Sequence, residues 1–156
     1  MDEARLRFTR GEYDARLAKT RHAMAAAGID LLCVTDPSNM HWLTGYDGWS
    51  FYVHQMVLLP LADPPLWWGR LQDVNGAKRT AWLPDEGLLG YPDHYVQSAL
   101  RHPMQLLAQT IADRGWGRSR IGVELDNYYY SAAAHHHLVH GLPDAHVVDA
   151  TGLVNW

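Results

Sequence analysis

Cysteine is almost absent from this chain, and long apolar runs and an excess of positive charge are missing altogether. A single cysteine, Cys33, among 156 residues excludes an internal disulfide framework and favours a reducing compartment. Lys and Arg number 13 against 17 Asp and Glu, which argues against a nucleic acid or an anionic membrane as partner. The longest charge-free runs, 48–62 and 127–143, are shorter than the roughly 20 residues that span a bilayer, and the charged N-terminal decapeptide predicts no secretory signal. These absences predict a single cytoplasmic domain.

Motifs of self-contained active sites are also lacking. None of the five serines lies in a Gly-x-Ser-x-Gly turn, and Gly115-x-Gly117 lacks the third glycine of a dinucleotide-binding turn. Cys33 lies in an apolar run that disfavours its thiolate. His136 and His140 are spaced to share one helical face, as zinc ligands often are, but no carboxylate lies between them and no third ligand is evident nearby. We therefore expect a solvated face for these histidines, and no catalytic residue, metal or cofactor in this chain.

Apolar periodicity and capping residues predict helices that alternate with strands. Helices are predicted from the Thr9 cap to Gly28, from Asp36 to Gly45, at 103–114 and at 131–140, with a loop or short helix at 75–80. Strands are predicted at 29–35, 51–59, 66–71, 121–125 and 145–149. The strands 51–59 and 66–71 are joined by a short Pro-rich turn, so we expect them to be antiparallel. The predicted fold class is α/β: a single domain with a mixed β-sheet flanked by helices on both faces.

The candidate binding site lies in the region richest in tryptophan. Five of the seven tryptophans fall within residues 42–82, and this clustering favours a partly exposed aromatic surface over an ordinary core. Hydrogen-bonding side chains follow the strand 66–71, where binding residues of α/β proteins tend to lie. The predicted substrate-binding residues are Trp49, Phe51, Tyr52, His54, Arg70, Gln72, Asp73 and Lys78. Aromatic rings with one Arg, one Lys and neutral donors favour a small zwitterionic or amide-bearing ligand. The alternative is a core strand followed by a solvated loop.

Several short motifs occur in an order and spacing typical of one known family. They are Tyr13-Asp-Ala-Arg-Leu17 with Met24 and Gly28-Ile-Asp30, then Asp36-Pro-Ser-Asn-Met40, Trp42-Leu-Thr-Gly-Tyr46 and Ile121-Gly-Val-Glu124. Together they resemble the N-terminal domain of the creatinase, prolidase and aminopeptidase P family, whose fold is ribonuclease H-like. The stretches 42–55, 69–77 and 90–97 look most like the ectoine hydrolase branch, which opens the ring of a cyclic amidine compatible solute.

The resemblance implies a longer, two-domain protein. Residues 1–150 would form the N-terminal domain, and 151–156 would begin the connection to a C-terminal pita-bread domain that carries the catalytic residues and any metal. In homodimers of this family the N-terminal domain reaches over the partner subunit's active site and contacts substrate. The matching positions here are 49–54 and 70–78. The resemblance thus implies a substrate-gating and dimerisation domain of a cytoplasmic C–N hydrolase that is inactive without its C-terminal half.

Two other functions remain open at this point. One is the N-terminal domain of a metal-dependent Xaa-Pro dipeptidase or aminopeptidase of the same family. The other is a non-catalytic binding or assembly module, whose aromatic patch only packs against its own C-terminal domain.

Overall fold

The computed structural model describes residues 6–155, so the first five residues and Trp156 of the predicted connection lie outside the described residues. The helices are α1 (Arg10–Ala26), α2 (Pro37–Thr44), α3 (Val74–Thr80), α4 (Pro103–Asp113) and α5 (Ala132–Gly141). The strands are β1 (Leu31–Val34), β2 (Met56–Pro60), β3 (Leu66–Arg70), β4 (Leu88–Tyr91), β5 (Arg120–Val123) and β6 (His146–Asp149). No helix within residues 6–155 is both long and apolar enough to cross a membrane.

The strands form one six-stranded mixed sheet in the order β4-β3-β2-β1-β5-β6. Strand β2 runs antiparallel to both of its neighbours, β1 and β3, whereas the β3–β4, β1–β5 and β5–β6 pairs are parallel. The predicted antiparallel pairing across the Pro-rich turn is therefore confirmed, as is the predicted mixed sheet. The parallel pairs are connected through helices, as parallel strands require.

Helices cover both faces of the sheet, as predicted. Alternate residues of each strand point to opposite faces, so Leu32 and Val34 pack in one apolar cluster while Leu31 and Cys33 pack in the other. Helices α1, α2 and α3 contribute to the first cluster, and α4 and α5 contribute to the second. The same alternation places Trp67 on the α1–α3 side and Trp68 on the α4–α5 side.

The two N-terminal helices begin where their caps predict. The Thr9 hydroxyl accepts the amide of Glu12 at 3.3 Å, and the rings of Phe8 and Tyr13 pack edge to face across this start of α1. The Asp36 carboxylate accepts the amides of Ser38 and Asn39 at the start of α2. These caps satisfy amides that no helical carbonyl can reach, so both helix starts follow from local sequence.

The predicted strand at 51–59 is wrong over its first five residues, because β2 begins only at Met56. The hydroxyl of Ser50 accepts the amides of Tyr52 and Val53, at 3.4 and 3.0 Å. A serine hydroxyl that bonds amides two and three residues ahead bends the chain and competes with strand pairing. Residues 46–55, here called the aromatic loop, are therefore irregular. Their side chains therefore do not alternate between two faces as those of a strand would.

Strand β4 was missed because its glycines and flanking prolines resemble a loop. Gly90 lies in this strand and pairs with Gly69 of β3. A Cβ atom at position 90 would lie 2.8 Å from Cα of Leu71 and 2.7 Å from its side chain. This glycine permits the close approach of the segment after β3, a constraint that only the tertiary structure reveals.

Candidate functional site

A cavity of about 510 Å³ lies between the aromatic loop and the segment that leads from the end of β3 into α3. The loop and the end of β3 meet here because β2, which follows the loop, pairs antiparallel with β3. The residues that line the cavity are Tyr46, Asp47, Gly48, Trp49, Ser50, Tyr52, Val53, Gln55, Arg70, Gln72, Asp73, Gly76 and Thr80. Polar and aromatic groups of this kind converging on one concave site are typical of small-molecule pockets.

Hydrogen bonds fix the aromatic loop against its surroundings. The Tyr46 hydroxyl donates to Oε1 of Gln55 at 2.7 Å and so ties the two ends of the loop together. The amide of Asp47 donates to the Thr80 hydroxyl at 3.2 Å, which joins the loop to α3. A Cβ atom at Gly48 would lie 2.3 Å from the Tyr46 hydroxyl, so only glycine lets the chain pass over this ring. Burial raises the pKa of Tyr46 above its usual value, and the nearby Asp73 adds to this effect, so the hydroxyl stays protonated as a donor.

Three rings of the aromatic loop face solvent. Trp49 is 64%, Phe51 75% and Tyr52 48% exposed. Their rings contact one another, with centroids 6.1 Å apart for Trp49–Phe51 and 5.4 Å apart for Phe51–Tyr52. Three adjacent exposed rings are uncommon on a protein surface without a binding role.

The expectation of one exposed tryptophan surface is only partly correct. Trp67, Trp68 and Trp82 are buried, and the indole of Trp82 donates to the carbonyl of Leu43 at 3.0 Å. Trp42 is partly exposed but lies on the guanidinium of Arg16, 3.8 Å from its carbon, away from the cavity. Of the five clustered tryptophans, only Trp49 lines the cavity.

Arg16 and its aromatic neighbours form a second aromatic region, here called the Arg16 box. The guanidinium carbon of Arg16 lies 4.0 Å from the ring of Phe8 and 3.8 Å from that of Trp42, and the side chain is 5% exposed. It donates to the Trp42 carbonyl and to the carboxylate of Glu12. The box joins α1 to α2 and already contains its cation.

Of the charged groups around the end of β3, Arg70 and Asp93 form an ion pair, and Asp73 does not take part in it. Arg70 donates two hydrogen bonds to Asp93, with Nε–Oδ1 at 2.7 Å and Nη2–Oδ2 at 3.1 Å. This pairing lowers the pKa of Asp93 and raises that of Arg70, so both groups are charged. Asp73 lies close to both, and burial raises the pKa of its carboxyl, although Arg70 acts in the opposite direction. Arg70 is thus already paired by its own chain, which sequence spacing did not indicate.

The structure brings together five of the eight predicted binding residues and separates the other three. Trp49, Tyr52, Arg70, Gln72 and Asp73 line the cavity. Phe51 contacts Trp49 and Tyr52 from outside the cavity. Lys78 points away and pairs with Asp85 at 2.7 Å. The cavity also includes Tyr46, Gln55 and Thr80, which were not among the predicted binding residues. The stretch 42–55 contains the first two, and no sequence signal indicates Thr80.

His54, the third separated residue, belongs to a different side-chain group. Its ring lies 5.0 Å from that of His102, which stacks at 4.4 Å on His137 of α5. The Nδ1 atom of His102 accepts the amide of Met104 and caps α4. Burial and the neighbouring His54 and His137 lower the pKa of His102 to about 4, so the ring is neutral at physiological pH.

The part of the chain that the structure describes offers no set of side chains that could bind a metal ion. Within residues 6–155, no three His, Cys, Asp or Glu side chains are placed to hold a metal ion. His136 and His140 stack with centroids 6.1 Å apart on the outer face of α5. Cys33 is fully buried, and burial raises the pKa of its thiol to about 12.

The buried carboxylate of Glu124 was also not anticipated. It accepts the amides of Thr35 and Asp36, at 2.6 and 2.8 Å, and the side-chain amide of Asn39 at 2.6 Å. These bonds join the carboxyl ends of two adjacent parallel strands, β1 and β5, to the start of α2. Because backbone and side-chain donors of the fold occupy both of its oxygens, we assign this carboxylate a structural role.

Comparison with known proteins places this architecture in a family. Residues 16–156 match the Creatinase/Prolidase N-terminal domain. The chain is 57% identical to an ectoine hydrolase from Halomonas elongata over its whole length, but it spans only 39% of that protein. Two solved structures share the fold at a TM-score of 0.70. One is a proline dipeptidase from Streptococcus agalactiae, which is 19% identical; the match covers 91% of this chain and 97% of that one. The other is the dipeptidase PepE from Mycobacterium ulcerans, which is 22% identical; the match covers 96% of this chain and 37% of that one. The sheet, the flanking helices and the matched residues agree, and the chain belongs to the creatinase/prolidase N-terminal domain family.

Proposed function

We propose that this chain is the substrate-gating and dimerisation domain of a cytoplasmic hydrolase that opens a cyclic amidine ring, as in ectoine. The observation that carries the proposal is the 57% identity to an ectoine hydrolase over the full length of the chain. The solved peptidases are all far more distant in sequence, and their likeness concerns the fold alone. We further propose that the bond-breaking groups lie in a C-terminal domain, because the chain spans 39% of that relative.

The cavity supports a role in holding substrate rather than in breaking bonds. The groups that line it are aromatic rings, amides, hydroxyls, the Asp47 and Arg70 charges, each held in an ion pair, and the Asp73 carboxylate. Such groups orient a small ring and exclude water from it. Trp49, Phe51 and Tyr52 project from a loop rather than from a strand, which suits a surface that closes over a neighbouring active site.

The direct test is turnover by the full-length protein that contains this chain. Purified protein is assayed for ring opening of ectoine and for cleavage of an Xaa-Pro dipeptide, each before and after dialysis against a chelator. Ring opening without peptide cleavage is the expected result. Chelator-sensitive cleavage of the dipeptide alone would replace the proposal by the peptidase alternative.

The gating role is tested by substitution of Trp49. In the full-length enzyme, Trp49→Ala is expected to lower kcat/KM for ectoine roughly 10- to 100-fold, because an oriented aromatic contact is lost. Tyr128→Ala is the matched control, since Tyr128 is an exposed aromatic residue outside the cavity. Equal kinetics for wild type and Trp49→Ala would favour a domain that only assembles the protein. Light scattering measures the expected homodimer separately.

A further inference from the structure

The cavity wall of the candidate site carries a net negative charge. Three charged side chains line it, the carboxylates of Asp47 and Asp73 and the guanidinium of Arg70. Asp47 pairs with Arg7 at 2.9 Å, and Arg70 pairs with Asp93 at 2.7 Å, so each of these two charges is balanced. Among the described residues, neither an ion pair nor a hydrogen bond holds the Asp73 carboxylate. Arg70 is near enough to lower the pKa of Asp73 but makes no ion pair with it, so one carboxylate is left without a direct counter-ion among the described residues.

The position of Asp73 makes this imbalance significant. The residue is half-buried, and burial raises the pKa of its carboxyl. An ionised carboxylate that is partly removed from water is stabilised by an opposite charge nearby. The only cation that lines the cavity in the described part of the chain, Arg70, is held by both of its Asp93 hydrogen bonds. A bound cation would supply the missing partner.

The side chain of Gln55 supplies an independent indication of a ligand. It lines the cavity and is 5% exposed, and while its Oε1 accepts from Tyr46, its Nε2 has no hydrogen-bond partner among the described residues. A buried N–H group without an acceptor is costly, so such groups are normally satisfied by protein, water or ligand. An acceptor atom of a bound molecule would satisfy this donor.

Aromatic rings complete the arrangement. Trp49 and Tyr52 line the same cavity and keep half or more of their surface exposed. The faces of such rings attract cations, and in proteins the planar guanidinium takes this place more often than an ammonium group. No ring of the aromatic loop is covered by a cation of the described chain, in contrast to the rings of the Arg16 box.

From these observations we infer that the cavity binds the positively charged end of a small molecule, a planar delocalised cation such as a protonated amidine, with Asp73 as counter-ion and Trp49 and Tyr52 beside it. The inference rests on the proposed function in one respect: only that function identifies the amidine as ectoine. In this arrangement Arg70 does not bind the ligand through its charge. Instead, Arg70 and Asp93 form a fixed pair at the edge of the site. A carboxylate on the same ligand would find its donor in the unpartnered Nε2–H of Gln55 rather than in Arg70.

Three probes of nearly equal shape test the sign of the charge. The full-length protein is titrated by calorimetry with benzamidine, benzamide and benzoate, which are cationic, neutral and anionic at neutral pH. Benzamidine is expected to bind at least roughly tenfold more tightly than the other two, because only it offers a charge to Asp73. Benzamide or benzoate binding as tightly as benzamidine overturns the inference, and this comparison requires no variant to fold.

Substitution of the counter-ion provides the second arm. Asp73→Asn is expected to weaken benzamidine binding roughly 10- to 100-fold and to leave benzamide binding unchanged. Asp85→Asn is the control, since Asp85 is an exposed carboxylate that pairs with Lys78 outside the cavity. An Asp73→Asn protein of native far-ultraviolet dichroism that binds benzamidine like wild type overturns the inference.

Ectoine turnover in the same proteins separates this inference from the proposed function. If wild type opens ectoine but benzamidine binding does not depend on Asp73, the inference is wrong and the proposed function stands. If benzamidine binds through Asp73 but ectoine is neither bound nor opened, the inference stands and the proposed function is wrong.

Discussion

Two arginines of this domain lie near aromatic side chains, and the two regions use the positive charge differently. In the Arg16 box the guanidinium lies between the rings of Phe8 and Trp42 and is almost fully buried. At the cavity, Arg70 pairs with Asp93 instead, and the rings of Trp49 and Tyr52 stay exposed. The first region holds its own cation between its rings and stabilises the packing of α1 on α2. The second lacks a cation at its rings, which is what a binding site requires before its ligand arrives.

Removal of the cation of the Arg16 box should have the largest effect on stability. Arg16→Ala takes away the charge between two rings and leaves the Trp42 carbonyl and Glu12 without their donor. We expect the free energy of unfolding of the 156-residue chain, measured by urea denaturation, to fall by about 3 kcal/mol. Arg16→Lys keeps the charge without the planar fork and should lose about half as much. A change below about 0.5 kcal/mol for Arg16→Ala would show that the box does not stabilise the fold.

A matched pair of tryptophan substitutions separates the two regions. Trp42→Ala uncovers Arg16 and should lower the free energy of unfolding by about 2 kcal/mol. Trp49→Ala removes a ring that is already 64% exposed, so the free energy of unfolding should change by less than about 0.5 kcal/mol. Thermal unfolding of both variants checks the difference. Equal losses would mean that the aromatic loop is part of the core and not a free surface.

Acid should loosen the start of α4 and the His54 end of the aromatic loop before it loosens the Arg16 box. The folded state lowers the pKa of His102 from 6.5 to about 4, so it resists protonation that the unfolded chain accepts. The neutral ring of His102 therefore does not lower the free energy of unfolding above pH 6.5. As the pH falls from 6.5 toward 4, that free energy should decrease by about 1 kcal/mol, allowing for solvent screening. Protonation at Nδ1 also removes the cap of α4 and adds charge beside His54.

Hydrogen exchange at different pH values measures this difference. Amides of residues 46–55 and of the first turn of α4 should lose protection on acidification, while those of α1 should not. His102→Asn retains a capping acceptor without a titrating ring and should abolish the pH dependence. An unchanged profile in His102→Asn would assign the acid response to other groups.

The smallest expected effect is a gain in stability when Asp73 loses its charge. Burial raises the pKa of this carboxyl in the folded chain, so its ionised form opposes folding at neutral pH. The cost disappears as the pH falls and the carboxyl is protonated. Asp73→Asn should therefore stabilise the ligand-free chain by about 0.5 kcal/mol near neutral pH, allowing for solvent screening, and by nothing in acid. Destabilisation by Asp73→Asn would mean that the carboxylate holds the fold together.

Much of the fold could be predicted from local sequence, because its determinants are local. The caps at Thr9 and Asp36 specify where two helices start, and the continuous apolar run of β1 specifies a strand that is buried on both faces of the sheet. Strand β4 could not be predicted in this way, because Gly90 serves a contact with Leu71 that exists only in the folded chain. The aromatic loop has the composition of a strand, and the Ser50 side chain overrides that propensity.

The candidate site was predictable as a region but not in its electrostatics. The sequence indicated that aromatic residues 49–52 and the segment after β3 lie together, and both line one cavity. It did not indicate that Asp93, 23 residues after Arg70, would neutralise the arginine. Nor did it indicate that Lys78 would pair outward with Asp85. Ion pairs between distant segments depend on tertiary placement, so local sequence does not show which of these charges are already paired within the protein.

The Glu124 carboxylate has a consequence for the order of events on the ribosome. It is synthesised 89 residues after Thr35, whose amide it accepts, and 85 residues after Asn39. Until this carboxylate leaves the exit tunnel, the amides of Thr35 and Asp36 and the side chain of Asn39 lack the acceptor that they have in the folded chain. The junction between β1 and α2 is therefore completed only after β5 has been synthesised, which makes it a late, non-local contact of folding.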